Sequence, residues 1–181
     1  MTPFFKTVDS SQITISELML PSHSNFSGKI HGGYILSLLD QIAFACASKF
    51  SGNYCVTASV DIVTFLTPIE VGELVTMKAS VNYVGKSSMV VGIRVEAENI
   101  RTGKIKHCNS SYFTMVAKDE NGNSMPVPGL KISSLEEVRR FYDCLTRIED
   151  RKERERNGVI LDYNSEEVIL EIKKYNIKME I

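Results

Sequence analysis

Asn25 and Asp40 bracket the stretch of this sequence best equipped for chemistry, N-F-S-G-K-I-H-G-G-Y-I-L-S-L-L-D. Gly32 and Gly33 follow His31 at the predicted start of a helix. Backbone N–H groups in a first helical turn have no partner inside the helix, and glycine lets a ligand approach them closely. With the helix dipole they form a ready site for negative charge developing on a carbonyl oxygen. Asp40 is the one charged residue between His31 and Lys49, two turns into an otherwise apolar helix. A carboxylate buried there without partners is costly. Two roles fit it: a base or nucleophile acting on a carbonyl, or a polar group that meets a subunit interface or caps a neighbouring element. Asn25 stands in a loop six residues before His31. Its amide both donates and accepts, which suits orienting a carbonyl or a water, although loop asparagines also serve as turn formers.

These residues need elements to hold them. Residues 12–20, QITISELML, read as a first strand, and the Ser-, Gly-, Asn- and Pro-rich PSHSNFSGKIHGG as a loop. From Gly33 to Phe50 the chain is apolar on nearly every side, which predicts a buried central helix about 25 Å long. Four strand-like segments follow, at 54–66, 73–84, 88–99 and 104–117, separated by short turns and expected to form an antiparallel meander. A twisted sheet with one apolar face needs cover, and the helix at 33–50 is the apolar one available. The expected architecture is α+β, a sheet wrapped around one helix.

DENGNSMPVPGL marks the end of that sheet domain, placed at residues 1–130. Residues 131–181 are expected to form a C-terminal helical extension and tail. Ser133 or Ser134 caps a helix with apolar positions Leu135, Val138, Tyr142, Leu145 and Ile148. The charged EDRKERERN reads as its solvated end, and the apolar GVILDYNSEEVILEIKKYNIKMEI has no turn logic that decides its form.

Composition narrows the function. With 21 Lys and Arg against 22 Asp and Glu, no global field favours nucleic acid or an anionic membrane. Neither a signal-like start nor a run of about 18 apolar residues is present, so the expectation is a cytoplasmic chain that does not span a membrane. Cys46, Cys55, Cys108 and Cys144 are scattered without a C-x-x-C pair and read as buried, reduced thiols. Residues 80–87 approximate a phosphate-binding loop, but β structure rather than a helix is predicted to follow. There is no G-x-S-x-G, and His23, His31 and His107 lack metal-ligand spacing.

The run from Asn25 to Asp40, with T-F-L-T-P-I-E-V-G-E at 64–73, V-G-K-S-S-M at 84–89 and F-T-M-V-A-K-D-E-N-G at 113–122, resembles the hotdog-fold acyl-CoA thioester hydrolases. The resemblance covers about residues 10–150. It implies a hotdog fold, hydrolysis of acyl-CoA to carboxylic acid and coenzyme A, and no cofactor, with water as co-substrate. It implies a homodimer as the minimal active unit, a trimer of dimers as the full assembly, and sites where Asn25 and Asp40 meet across the interface. By the same resemblance His31, Gly32 and Gly33 shape the oxyanion and substrate site. Thr57, Ser59, Val60 and Asp61 run beside the pantetheine arm, and Gly85, Lys86, Ser87 and Ser88 hold the nucleotide end of coenzyme A. Three other readings stay in view: an acyl-CoA sensor that binds without turnover; a dehydratase or hydratase, for which the H-F-P-G pattern is missing; and the related aryl-thioester branch with an HGG helix, against which the Asn25 loop speaks.

Overall fold

In a computed structural model, residues 4–156 and 165–179 are described. The chain divides into two compact units, residues 1–145 and 146–181.

The first unit is built on a five-stranded antiparallel sheet and the helix α1 (Gly32–Ser51). Its strands are β2 (Ile13–Leu18), β3 (Tyr54–Val60), β4 (Glu73–Val84), β5 (Ser88–Asn99) and β6 (Lys104–Lys118), in the order β2-β4-β5-β6-β3. Period-two alternation sends Met77, Ala79 and Val81 of β4, Met89, Val91, Ile93 and Val95 of β5, and Phe113, Met115 and Ala117 of β6 to one face. That face closes over Ile35, Leu39, Ile42, Cys46 and Phe50 of α1, all buried. Each such side chain contributes roughly 1.5–3 kcal/mol by leaving water.

Three expectations need correction. The four later strands are not one meander: β4, β5 and β6 follow in order, but β3 crosses to the far side of β6 and lies at the sheet edge. The strand expected at 54–66 stops at Val60, just past a slip in register between Thr57 and Ser59. Residues beyond it are tied to β6 by single contacts, Leu66 N–H to the Cys108 carbonyl at 2.9 Å and Asn109 Nδ2 to the Thr64 carbonyl at 2.8 Å. The central helix is buried on one side only. Gly33, Leu36, Ser37, Asp40, Gln41 and Phe44, spaced three and four apart, form an exposed stripe.

A short parallel pair, β1 (Phe5–Thr7) with β7 (Gly129–Lys131), was not foreseen, and it puts a strand in a stretch expected to be turn. Helix α2 (Leu135–Arg156) begins as expected, with Ser134 Oγ accepting from Glu137 N–H at 3.2 Å and Glu137 accepting from Ser133 N–H at 2.6 Å. In the second unit, α3 (Glu166–Ile172) starts on Ser165, whose side chain accepts from Val168 N–H. Ser-Glu-Glu was the capping signal passed over in the sequence. Asn157 of the charged run, and residues 157–164 and 180–181 of the tail, lie outside the described residues. None of the four cysteines forms a disulfide and all are buried, and burial pushes the Cys46 thiol up to about 12.

On the sheet's outer face, a Cβ at Gly92 would lie 2.1 Å from Asn82 Nδ2, and Asn82 is itself buried. Gly92→Ala is therefore expected to destabilise the fold by about 1–3 kcal/mol through overpacking. A thermal melt checks this, and an unchanged midpoint would mean that Asn82 swings away freely.

Candidate functional site

The loop before α1 is shaped by Asn25. Its Oδ1 accepts from Ser27 N–H at 2.9 Å, Ser27 Oγ at 2.7 Å and Lys29 N–H at 3.2 Å. Gly28, at φ 76°, closes the turn with its N–H on the Asn25 carbonyl at 3.0 Å. The oxygen of the Asn25 amide is thus spent on the loop. Its Nδ2 has no hydrogen-bond partner among the described residues, so Asn25 faces outward as a donor only.

Two contacts fix this loop to the helix. His31 N–H donates to the His23 carbonyl at 2.9 Å, and the His23 ring stacks on Tyr34 at 4.0 Å. Tyr34 in turn donates its hydroxyl to Glu17 of β2, and that bond, the largest influence, raises the phenol above its ordinary range. Tyr34 and Glu17 were missed in the sequence. Nothing local links them, and only the pairing of β2 beside β4 brings Glu17 to the helix start.

At the start of α1, His31 is the N-cap and its Nδ1 accepts from Gly33 N–H at a long 3.4 Å. Gly32 N–H has no partner among the described residues. The Phe65 ring lies against Gly32, where an added Cβ would sit 3.4 Å from it. Tyr34 and Ile35 N–H both reach the His31 carbonyl. The open donors at this end are therefore Gly32 N–H, Asn25 Nδ2 and, more weakly, Gly33 N–H.

Asp40 lies eight residues beyond Gly32, about 12 Å along the helix at 1.5 Å per residue. It is exposed in the single chain, not buried as expected from the apolar helix. Thr57 Oγ1, on edge strand β3, donates to Asp40 Oδ1 at 2.6 Å, which leaves Oδ2 open. Both line a groove of about 530 Å³ with Gln41, Phe44, Tyr54, Cys55 and Val56. Thr57 reaches the helix because it shares the face of β3 that carries buried Cys55 and pairs with buried Met115.

Of the other residues singled out, Ser59 and Val60 continue β3, and Asp61 N–H bonds to the Tyr112 carbonyl at 3.0 Å. Gly85 N–H and the Ser88 carbonyl, 2.8 Å apart, close the β4–β5 hairpin, which leaves Lys86 exposed and without an ion pair among the described residues. Ser87 accepts from Ala117 N–H at 3.0 Å. Ser88 and Val56 both face Val116 of β6, so the hairpin stands two strand spacings, about 9.6 Å, from the Thr57 end of β3. The fold thus joins Asp40 to Thr57 and brings the Gly85–Ser88 turn near them. It groups Asn25 with Gly32 and Gly33, but within one chain that group lies well away from Asp40. No group of three or more His, Cys, Asp or Glu residues able to hold a metal occurs among the described residues.

Residues 27–104 match the family model described as Thioesterase superfamily. Protein VdlD of Helicobacter pylori is 46% identical over 145 residues, covering 80% of this chain and 83% of its own length. A crystal structure of an apo-hexameric acyl-CoA thioesterase superposes with a TM-score of 0.81 at 36% identity, over 83% of this chain and 97% of that one. An acyl-CoA hydrolase from Staphylococcus aureus, solved with butyryl coenzyme A, coenzyme A and coenzyme A disulfide, gives 0.78 at 32%, over 83% and 92%. That hydrolase was also solved with alanine replacing an asparagine, an aspartate 15 residues later and a threonine 17 beyond that. Asn25, Asp40 and Thr57 stand at the same separations, 15 and 17.

Proposed function

The chain belongs to the thioesterase superfamily, and on that premise we propose that Asn25 and Asp40, contributed by two copies of the chain, form the site at which it hydrolyses acyl-CoA. The fold is the hotdog fold and the activity is thioester hydrolysis. The observation that carries the assignment of residues is the Thr57–Asp40 hydrogen bond at the mouth of a groove, combined with Asn25 held as a pure donor. Both belong to one catalytic task, yet in one chain about 12 Å of helix lies between their two ends.

Two chains related by a two-fold axis resolve that separation. If the exposed stripes of two α1 helices face each other antiparallel, the Gly32 end of one stands beside the Asp40 turn of the other. The surface supports this. Leu36 and Phe44 of the stripe, Tyr54 and Val60 of edge strand β3, and Ile62 and Phe65 beyond it are all exposed apolar residues. The unpaired edge of β3 also invites a second copy to extend the sheet. Phe26, fully exposed beside Asn25, gains cover in such a pair. The hexameric relative fits assembly of three such dimers.

In this site Asn25 Nδ2 and Gly32 N–H donate to the thioester oxygen, and their hydrogen bonds strengthen as that oxygen becomes an oxyanion. Asp40, fixed by Thr57 through Oδ1, takes a proton at Oδ2 from a water molecule that attacks the carbonyl carbon. The tetrahedral intermediate then expels the coenzyme A thiolate, which recovers the proton from Asp40. His31 and Gly33 hold the helix start in shape. Thr57 to Asp61 flank the pantetheine arm, and Gly85 to Ser88 support the nucleotide end, with Lys86 available to a phosphate. Water is the co-substrate, and no cofactor is assigned. Four buried cysteines without a disulfide suit a reducing compartment, and we assign the protein to the cytoplasm. We assign this chemistry to residues 1–130, and α2 and α3 to an extension that follows them.

Release of free thiol from acyl-CoA esters tests the activity directly. Rapid hydrolysis is the expected result; binding of acyl-CoA without thiol release would replace hydrolysis by sensing. Thr57→Val removes the bond to Asp40 at nearly constant volume and is expected to lower kcat about tenfold with little change in KM. Thr57→Ser should restore most of the loss. Equal activity in Thr57→Val and wild type would show that Asp40 needs no such partner.

A further inference from the structure

The outer face of the sheet, away from the helix α1, carries a second cavity of about 400 Å³ between the strands and the first half of α2. A helix that merely covers a sheet presents apolar residues to it, as Phe141 does where it meets Tyr83 at 5.1 Å. Beside that contact the arrangement reverses. Leu135, Val138 and Tyr142 of α2 point to the exterior, 88%, 50% and 67% exposed, while Glu136, Arg139 and Arg140 line the cavity. Its floor is Ser80, Asn82, Gly92 and Arg94, with Lys78 alongside.

Asn82 is 6% exposed, and its Oδ1 accepts from Ser80 Oγ at 2.9 Å. Its Nδ2 lies over Gly92, whose missing side chain makes the room for it, and has no hydrogen-bond partner among the described residues. The Asn82 amide thus offers an open donor to the cavity that it lines. The charged groups around it leave more donors than acceptors. Lys78 and Arg94 share Glu96, each at 2.7 Å; Arg139 and Arg140 share Glu136, and Arg139 also reaches Asp143 at 2.7 Å. Four cations thus meet three carboxylates. Among the described residues Arg94 and Arg140 engage only their Nε atoms, which leaves the terminal nitrogens of both guanidiniums for a ligand.

We propose that this cavity is a second binding site, separate from the thioester groove, for a small phosphate-bearing molecule. Its phosphate oxygens accept from Asn82 Nδ2 and from the terminal nitrogens of Arg94 and Arg140, the geometry in which guanidinium groups bind phosphate. The cavity is larger than a lone phosphate needs, so the natural ligand carries a further polar group beside Glu136. This inference does not depend on the thioester chemistry.

The test is calorimetric titration of the full-length protein with inorganic pyrophosphate, alone and in the presence of saturating coenzyme A. Pyrophosphate should bind whether or not coenzyme A is present. Arg94→Ala and Arg140→Ala should each weaken it about tenfold, as loss of a charge-assisted hydrogen bond does. Arg94 and Arg140 are 53% and 42% exposed in their side chains, so neither change threatens the fold, and a thermal melt verifies that. Absence of binding in the millimolar range would overturn the proposal. So would binding indifferent to both variants, and so would displacement by coenzyme A, which would assign pyrophosphate to the thioester site.

Discussion

Asp40→Ala is expected to slow acyl-CoA hydrolysis by roughly 10²–10⁴-fold, the range for loss of a positioned general base. The variant should fold normally, because Asp40 is exposed in the chain and its one side-chain bond is to Thr57. The loss should fall on kcat. In the proposed mechanism substrate is held along the groove and by the donors at the helix start, and Asp40 acts on the attacking water, so its loss should leave KM little changed. Asp40→Asn is the sharper version, since it keeps the shape and the Thr57 contact but cannot take a proton. A single turnover in ¹⁸O-labelled water then separates two mechanisms. Label in the released acid fits attack by water, while label retained on Asp40 with unlabelled acid would make the carboxylate the nucleophile. Unchanged turnover in both variants would remove Asp40 from the mechanism.

The second large effect comes from mixing two inactive proteins. Asn25→Ala removes a donor to the developing oxyanion and should cost about 10²–10³ in kcat. If each site takes Asn25 from one chain and Asp40 from its partner, a heterodimer of Asn25→Ala with Asp40→Ala contains one site with both residues intact and one with neither. Random reassortment makes half of the dimers mixed, so about a quarter of the sites regain activity. Sites formed within single chains would regain none, because each chain would still lack one of the two residues. The experiment is co-refolding or co-expression of the two variants, followed by the thiol-release assay. Recovery near a quarter supports the shared site; no recovery, with mixed dimers demonstrated by tagged subunits, would overturn it.

The same geometry explains why the loop carrying Asn25 is so heavily tied. A catalytic donor must be held to within a fraction of an ångström. The loop achieves this with three bonds to Asn25 Oδ1, the His23–Tyr34 stack and the anchor from Tyr34 to Glu17. Those bonds also decide the chemistry of the amide. With its oxygen engaged by the loop, the amide has its Nδ2 donor left for the thioester oxygen that we propose it meets.

The reach of the sequence was set by distance along the chain. Gly32 and Gly33 at a helix start, Asp40 two turns on and Ser134 capping α2 were all legible, because helical rise, open N–H groups and capping depend on neighbours within about four residues. The apolar alternation of β4, β5 and β6 was legible for a similar reason, since side-chain period follows from the strand itself. What lay beyond reach depended on pairing. The place of β3 beside β6, and with it the Thr57–Asp40 bond across 17 residues, follows from sheet order and strand register. Pairing Glu17 with Tyr34 required the whole sheet to close. The sequence by itself determined which helix carries Gly32, Gly33 and Asp40. Only the tertiary structure decided that the helix is covered on one side, so that Asp40 stands open while Asn25 lies at the helix's other end, because burial and strand register are properties of the packed chain.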